Sequence, residues 1–156
     1  MIAPGDDLDR LMAVMDAAFD PAYGEAWTRH QVEDALLVGS THYRLIAATG
    51  QPPLDHEAAA GFFLSRTGFE EEELLLLGVA PQFRRLGLGR CLLDWLAHDA
   101  RERGAARLLL EMRQGNPAEH LYRGFGFTPI GLRPNYYRAP SGNRIDAITF
   151  ACPLDY

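Results

Sequence analysis

The passage from a leucine-rich run to an amphipathic helix constrains the fold of this chain most strongly. Residues 73–80, ELLLLGVA, predict a buried strand, because the run is short, almost wholly apolar and followed by a proline-containing loop. Residues 87–103 predict a helix that ends in arginines, with Gly104 suited to the position after its last turn. Its apolar residues recur at helical spacing and share one face: Leu88, Leu92, Trp95 and Leu96.

The junction between this strand and this helix has the composition of an anion-binding loop. Gly87 and Gly89 are flanked by arginines, and backbone N–H groups at a helix start attract phosphate. A Walker A loop is excluded because the chain contains no lysine. A dinucleotide-binding fingerprint is disfavoured, since its third glycine and its later acidic residue are both missing. In isolation, the two glycines could also simply turn the chain into the helix beside solvated arginines.

The remaining elements predict one mixed α/β domain, residues 1–156, with helices between the strands of a largely antiparallel sheet. Helices are expected at 6–19, from an N-cap at Thr28 to about Leu37, and from an N-cap at Asn116 to about Arg123. Further strands are expected at 42–49, 58–66, 106–113, 127–133 and 145–153, with a loop over 134–143.

Composition and charge narrow the possible partners. The chain has 156 residues, a hydrophobic fraction of 47% and a net charge of −6, which disfavours general nucleic-acid binding and suits a basic peptide better.

No segment has the pattern of a signal peptide or a membrane span, so we expect a cytoplasmic protein with no membrane partner and at most weak self-association. Cys91 and Cys152 are expected to be free thiols, and the five histidines lack metal-ligand spacing, so no metal is expected.

The order of motifs in the C-terminal half resembles that of the GNAT acetyltransferase family. The stretch Arg84–Gly89 satisfies that family's pyrophosphate-loop pattern, Arg/Gln-x-x-Gly-x-Gly/Ala. A buried strand precedes it, and a helix, the strand LLLEMR and the segment NPAEHLYRGFGF follow in the family's order. The resemblance spans residues 73–152, and it implies the GNAT fold and acetyl-CoA as co-substrate.

The resemblance also assigns expected roles to individual residues. Glu111 matches the family's proposed general base and Tyr122 its general acid. The residues matching cofactor-binding positions are Leu77, Gly78 and Val79 on the strand, Arg84, Arg85, Leu86, Gly87, Leu88, Gly89 and Arg90 in the loop and helix start, and Asn116. Those matching substrate-binding positions are Trp27, Tyr136 and Tyr137.

Read without the resemblance, several of these residues have plainer interpretations. Glu111 would be a solvent-facing strand residue paired with Arg113 or Arg107, and Tyr122 a helix aromatic packed in the core. Trp27 would be a packing residue. The acidic run at 70–73 would be a solvated strand entry, or an attractor of a basic substrate peptide.

The segment LRPNYYRAPSGNRIDAI resembles the closing part of the RimI-type members, which acetylate the N-terminal alanine of a ribosomal protein. The expected partner is therefore a protein N-terminus on a basic ribosomal peptide. The stretch from Asn116 to Tyr122 is one residue shorter than the usual pattern, whereas the spacing from Tyr122 to Gly126 is intact. Acetylation of a small-molecule amine or a lysine side chain, and a non-catalytic acyl-CoA-binding domain, stay open as alternatives.

Overall fold

The computed structural model describes residues 5–155. These residues form four α-helices and one six-stranded sheet. The helices are α1 (Gly5–Ala18), α2 (Arg29–Leu37), α3 (Leu88–Glu102) and α4 (Glu119–Phe125). The strands are β1 (Thr41–Ile46), β2 (Gly61–Gly68), β3 (Glu71–Val79), β4 (Arg107–Arg113), β5 (Thr128–Arg138) and β6 (Arg144–Pro153). No helix within this range is long and apolar enough to span a bilayer.

The sheet confirms the mixed, mostly antiparallel architecture expected from the sequence. Its strand order is β1-β2-β3-β4-β6-β5, and only the β3–β4 pair is parallel. The largest boundary error concerns β5, which runs on to Arg138 through the first half of the segment expected as a loop. That loop assignment was wrong because β6 pairs with the segment again beyond Pro134, at Tyr137 and Arg138.

Helix termini follow the capping signals only in part. Thr28 caps α2 as expected, its hydroxyl accepting from Gln31 N–H while the Gln31 side chain accepts from Thr28 N–H. Gly104 follows α3 with a positive φ of 85°, the left-handed stop expected there. Asn116 accepts from Ala118 N–H at 2.9 Å, but the regular helix α4 begins only at Glu119. The expected hydrogen bond therefore forms on a turn before the helix.

Two apolar cores cover the two faces of the sheet. Helices α3 and α4 pack on one face, where Phe63, Leu92 and Phe150 are fully buried. Helices α1 and α2 pack on the other, around Phe62 and Met15. The free cysteines expected from the sequence are confirmed, with Cys152 in the α3-side core.

Strand β3 contains a bulge that divides the sheet. Leu64 of β2 lies opposite Leu76, but the next residue, Ser65, lies opposite Leu74, so Leu75 is an extra residue. Leu74 consequently belongs to the α3-side core and Leu76 to the α1-side core, although residues two positions apart share a face in a regular strand. Pairing between β3 and β4 ends at the same place, with Leu74 opposite Leu110. A bulge bends its strand and increases its twist, so β3 and β4 separate from this point on.

One residue of the acidic run at the start of β3, Glu72, departs from the solvated entry that the sequence suggests. The Glu72 side chain is fully buried, and its carboxylate accepts from the Ser65 hydroxyl at 2.7 Å and from the Arg103 guanidinium. This interaction attaches the end of α3 to the β2–β3 hairpin. Both earlier interpretations are wrong for Glu72, since a buried carboxylate with these partners neither faces solvent nor attracts a peptide.

The Glu72 carboxyl should make the free energy of unfolding depend on pH. Burial alone would raise the pKa of its carboxyl, but the hydrogen bonds from Arg103 and Ser65 lower that pKa below its usual 4.5. A group with a lowered folded pKa stabilises the protein above its unfolded pKa, and that contribution is lost as pH falls through the folded value. We expect Glu72→Gln to lower the free energy of unfolding at pH 7 by about 3 kcal/mol and to weaken its decline below pH 4.5.

Glu73→Gln is the matched control, since Glu73 pairs with Arg66 on the surface, where both side chains are more than a third exposed. Its effect on the free energy of unfolding should stay below about 1 kcal/mol. Urea unfolding at several pH values measures both variants. Equal losses in the two would contradict the structural role assigned to Glu72.

Candidate functional site

A cleft of about 1290 Å³ opens where β3 and β4 separate. It is bordered by the ends of both strands, the start of α3, the turn before α4 and the α1–α2 connection. The cleft brings together every site residue predicted from the sequence except Leu86 and Tyr136. Those two side chains are more than half exposed and lie outside its lining.

The free edge of β3 presents backbone groups to this cleft. Ala80 N–H donates to Ala60 O across the β2–β3 ladder at 2.8 Å, and hydrogen bonding in such a ladder alternates between successive residues. The main-chain groups of Gly78 therefore face Phe62 on β2, whereas those of Leu77 and Val79 face the space that β4 has left. An extended chain entering the cleft can pair with Leu77 and with the N–H of Val79, whose carbonyl already accepts from Arg84.

The loop before α3 has the conformation of an anion cradle. Arg85 and Gly87 both have positive φ, 65° and 79°, and α3 begins at Leu88 with no side chain capping it. The N–H groups of the first helical turn are thus available to a ligand. A Cβ on Gly87 would meet no atom within 4 Å, whereas one on Gly89 would lie 2.9 Å from Leu121. Gly87 leaves the mouth of the cradle open, and Gly89 permits the close approach of α3 and α4.

Two of the arginines already have protein partners. Arg84 donates to Val79 O at 3.1 Å and to Ala18 O at 2.9 Å, so it connects the end of α1 to the end of β3. Arg90 lies over the Phe125 ring, 4.9 Å from its centroid, and 3.7 Å from the Asp94 carboxylate. Arg85 has neither an ion pair nor a hydrogen bond to another side chain within residues 5–155, so its charge is available at the rim.

Asn116 lines the cleft from the turn before α4. Its side-chain oxygen accepts from Ala118 N–H, which fixes the orientation of the amide group. The amide nitrogen has no hydrogen-bond partner within residues 5–155 and is left as a donor. The shortened segment between Asn116 and Tyr122 therefore still delivers a polar group to this wall.

Glu111 occupies the fork between the two strands, one residue beyond Leu110, the last β4 residue paired with β3. Its side chain is 20% exposed, accepts from the Thr149 hydroxyl at 3.2 Å and lies 3.5 Å from Arg133. The pairing with Arg113 or Arg107 suggested by sequence does not occur, because those arginines pair with Glu25 and Glu71. Glu111 is thus a cleft carboxylate held by one hydroxyl and one partly exposed arginine.

Tyr122 lies on α4 with its ring in the α3-side core, edge-on to Phe127 at a centroid distance of 5.7 Å. Both the packing interpretation and the cleft position therefore apply to it. Its hydroxyl makes no hydrogen bond with residues 5–155. Burial, and secondarily the nearby Glu25 carboxylate, raises the pKa of this phenol, so it keeps its proton at neutral pH.

One end of the cleft is aromatic and contains two carboxylates, Glu111 and Glu25. Tyr137 lines it, and burial together with Glu111 and Glu25 raises the pKa of its phenol to about 12. Trp27 lines the cleft and also packs against the α1-side core, as the packing interpretation predicted, while its contact with substrate stays a prediction. Tyr136 instead faces outward with Arg133, 5.3 Å from the ring centroid.

Three residues of this end were missed by the sequence analysis. Arg113 pairs with Glu25 at 3.1 Å and lies 3.6 Å from the centroid of the Tyr23 ring. The side chains of Arg113 and Glu25 are 11% and 17% exposed. These contacts fasten the α1–α2 connection to the end of β4. No local pattern could reveal them, since 88 positions separate Glu25 from Arg113.

Comparisons with known proteins agree with this geometry. Residues 41–129 match the model of the acetyltransferase (GNAT) domain. The [ribosomal protein bS18]-alanine N-acetyltransferase of Haemophilus influenzae is 35% identical over 65% of this chain and 69% of its own length. Its Escherichia coli counterpart is 40% identical over 61% of this chain and 64% of its own length.

A solved structure extends the similarity to the whole chain. The crystal structure of the ribosomal-protein-S18-alanine N-acetyltransferase from Escherichia coli is 27% identical, covers 100% of this chain and 93% of its own, and superposes with a TM-score of 0.73. A sheet that separates beside a glycine loop, a carboxylate at the fork and the matched family model lead to one conclusion. The chain belongs to the GNAT family of acetyl-CoA-dependent N-acetyltransferases.

Proposed function

We propose that this enzyme acetylates the α-amino group of a protein N-terminus, and that its acceptor is the N-terminal alanine of ribosomal protein bS18. The observation that carries the proposal is the position of Glu111 at the fork, between the free edge of β3 and the aromatic, acidic end of the cleft. The curated relatives are named [ribosomal protein bS18]-alanine N-acetyltransferases, and these names support the choice of acceptor.

The residues of the cleft suit acetyl-CoA as the donor. The N–H groups at the start of α3, with Arg85 at the rim, would hold the pyrophosphate, and Leu77 and Val79 would pair with the extended pantetheine arm. Asn116 supplies a further donor along this path. The bound thioester supplies an acetyl group activated for attack by an amine. Backbone N–H groups at the free edge of β3 would stabilise the charge that develops on its carbonyl oxygen.

Glu111 is the base in this proposal and acts through a water molecule. An α-ammonium group has a pKa of about 7.7–8.0, so a carboxylate at the fork suffices to take its extra proton near neutral pH. The attacking nitrogen then forms the new C–N bond while the C–S bond breaks. A lysine ammonium has a pKa of about 10.4, so the same carboxylate would have to remove a proton that is held more than two pKa units more tightly.

Tyr122 is the acid that serves the departing sulfur. Its phenol keeps its proton at neutral pH because burial raises its pKa, and its hydroxyl has no protein partner within residues 5–155. It donates to the sulfur as the C–S bond breaks. The ammonium group loses two protons in all. One leaves to solvent through Glu111, and the one lost from nitrogen as the C–N bond forms replaces the proton that Tyr122 gives to the thiolate. Transfer is direct, with no acetylated side chain on the enzyme.

The acceptor end favours a cationic peptide terminus. Glu111 faces it with the partly exposed Arg133 at 3.5 Å as its counter-charge, whereas Glu25 is already paired with Arg113. Tyr137 and Trp27 provide flat apolar surfaces beside these charges. An ammonium group next to a small alanine side chain fits such a site, and a basic segment beyond it suits a chain with a net charge of −6.

A peptide panel tests the acceptor assignment. We expect acetylation of an Ala-initiated basic peptide with a kcat/KM at least about 100-fold above that of the same peptide with a blocked α-amine and a free lysine, because the two amines differ by more than two pKa units. Mass spectrometry locates the acetyl group. Ser- and Met-initiated versions of the peptide measure the preference for alanine.

Each other outcome of the panel points to a different function. Preference for the blocked, lysine-containing peptide would overturn the N-terminal assignment. Turnover of small amines alone would make the enzyme a small-molecule acetyltransferase. Binding of acetyl-CoA by calorimetry with no product from any amine would leave an acyl-CoA-binding domain.

Two single variants test the catalytic assignment. Glu111→Gln removes the base and should lower kcat/KM for the peptide by about 100-fold or more at neutral pH. Tyr122→Phe should lower kcat by about tenfold to 100-fold, with KM for the peptide nearly unchanged, because its hydroxyl acts when the bond breaks. Its unfolding temperature should change little, since that hydroxyl makes no hydrogen bond in the described part of the chain.

Glu73→Gln serves as the control for both variants, because Glu73 lies on the surface and pairs with Arg66 there. It should retain full activity. Unchanged turnover in Glu111→Gln and in Tyr122→Phe would leave the proposed mechanism without its residues.

A further inference from the structure

The hairpin of β5 and β6 contains an irregularity at the acceptor end of the cleft. Arg133 lies opposite Ala147 and Tyr137 opposite Ile145, so the three residues between them on β5 face a single residue, Asp146, on β6. The extra length forms a bulge at residues 134–136. Asn135, at its centre, has a φ of 57°, a left-handed conformation that asparagine tolerates better than most residues.

Asp146 holds this bulge through its side chain. Its carboxylate accepts from Asn135 N–H at 2.8 Å, which satisfies a donor that the broken ladder leaves without a strand partner. Its backbone carbonyl accepts from Gln114 N–H at 2.8 Å, directly beyond the end of β4. Asp146 therefore links the bulge to the strand that carries Glu111 and Arg113.

The bulge determines how far along the hairpin Tyr137 lies. In an unbroken antiparallel ladder that continued from the Arg133–Ala147 pair, Asn135 would face Ile145 and Tyr137 would face Asn143. Two strand residues span about 6.6 Å, so Tyr137 would then lie about that much closer to the hairpin tip. The bulge instead keeps Tyr137 at Ile145, where Glu111 and Glu25 act on its phenol.

We infer that Asp146 is a positioning residue for the acceptor, acting through the bulge to keep Tyr137 beside Glu111. The inference rests on the proposed function in so far as Tyr137 contacts the incoming peptide. It assigns to Asp146 no contact with acetyl-CoA, whose expected contacts are on β3, α3 and Asn116. Loss of the Asp146 carboxylate should therefore weaken binding of the peptide and leave binding of acetyl-CoA unchanged.

Kinetics of three variants test this inference. Asp146→Ala should raise KM for the Ala-initiated peptide by about tenfold and leave KM for acetyl-CoA within about twofold, as expected when one hydrogen bond that orders a binding loop is lost. Asp146→Asn keeps an oxygen that can accept from Asn135 N–H and should restore most of the affinity. Tyr137→Ala should raise KM for the peptide at least as much, and adding Asp146→Ala to it should have little further effect.

A crystal structure of Asp146→Ala provides a readout that needs no substrate. Tyr137 should leave its place opposite Ile145 in that variant and keep it in Asp146→Asn. An unchanged register in Asp146→Ala would overturn the inference whatever the enzyme acetylates. Equal rises in both KM values, or full additivity with Tyr137→Ala, would also overturn it. A shifted register together with no peptide turnover by the wild type would instead count against the proposed function.

Discussion

The separation of β3 from β4 is the constraint on which the rest of this site depends. The two strands pair from Glu71 to Leu74 and then diverge, at the position where an extra residue, Leu75, enters β3 opposite β2. Each strand stays paired on its far side, β3 with β2 and β4 with β6, so both halves of the sheet remain intact around the gap. Backbone groups that would otherwise join two strands become available to a ligand.

The two sides of the gap have different roles. The β3 side, with the loop before α3, offers backbone donors and the Arg85 charge, which suit an extended thioester donor carrying a pyrophosphate. The β4 side offers ionisable and aromatic side chains, beginning with Glu111 at the fork. Strand β6 connects this side to the acceptor end, because Thr149 contacts Glu111 and Asp146 holds the bulge before Tyr137.

The sequence predicted best those features that depend on neighbouring residues. The glycine loop, the Thr28 cap and the helical face of α3 were predicted from nearby residues. The family resemblance selected site residues of which all but Leu86 and Tyr136 line the cleft. The bulge at Leu75 could not be predicted, because four consecutive leucines hide the change of face. The burial of Glu72 and the Glu25–Arg113 pair depend on partners far along the chain. The extension of β5 depends on β6, which pairs with β5 again at Tyr137 and Arg138 after the bulge at residues 134–136.

Amide hydrogen exchange at the end of β3, measured with and without saturating CoA, tests the central claim most directly. If the separated strands hold the donor, CoA should slow exchange at Leu77 and Val79, whose N–H groups face the gap. Gly78, which already pairs with Phe62 on β2, should change little. Binding of CoA that leaves the exchange of Leu77 and Val79 unaltered would contradict the account, because the donor would then lie outside the gap between β3 and β4.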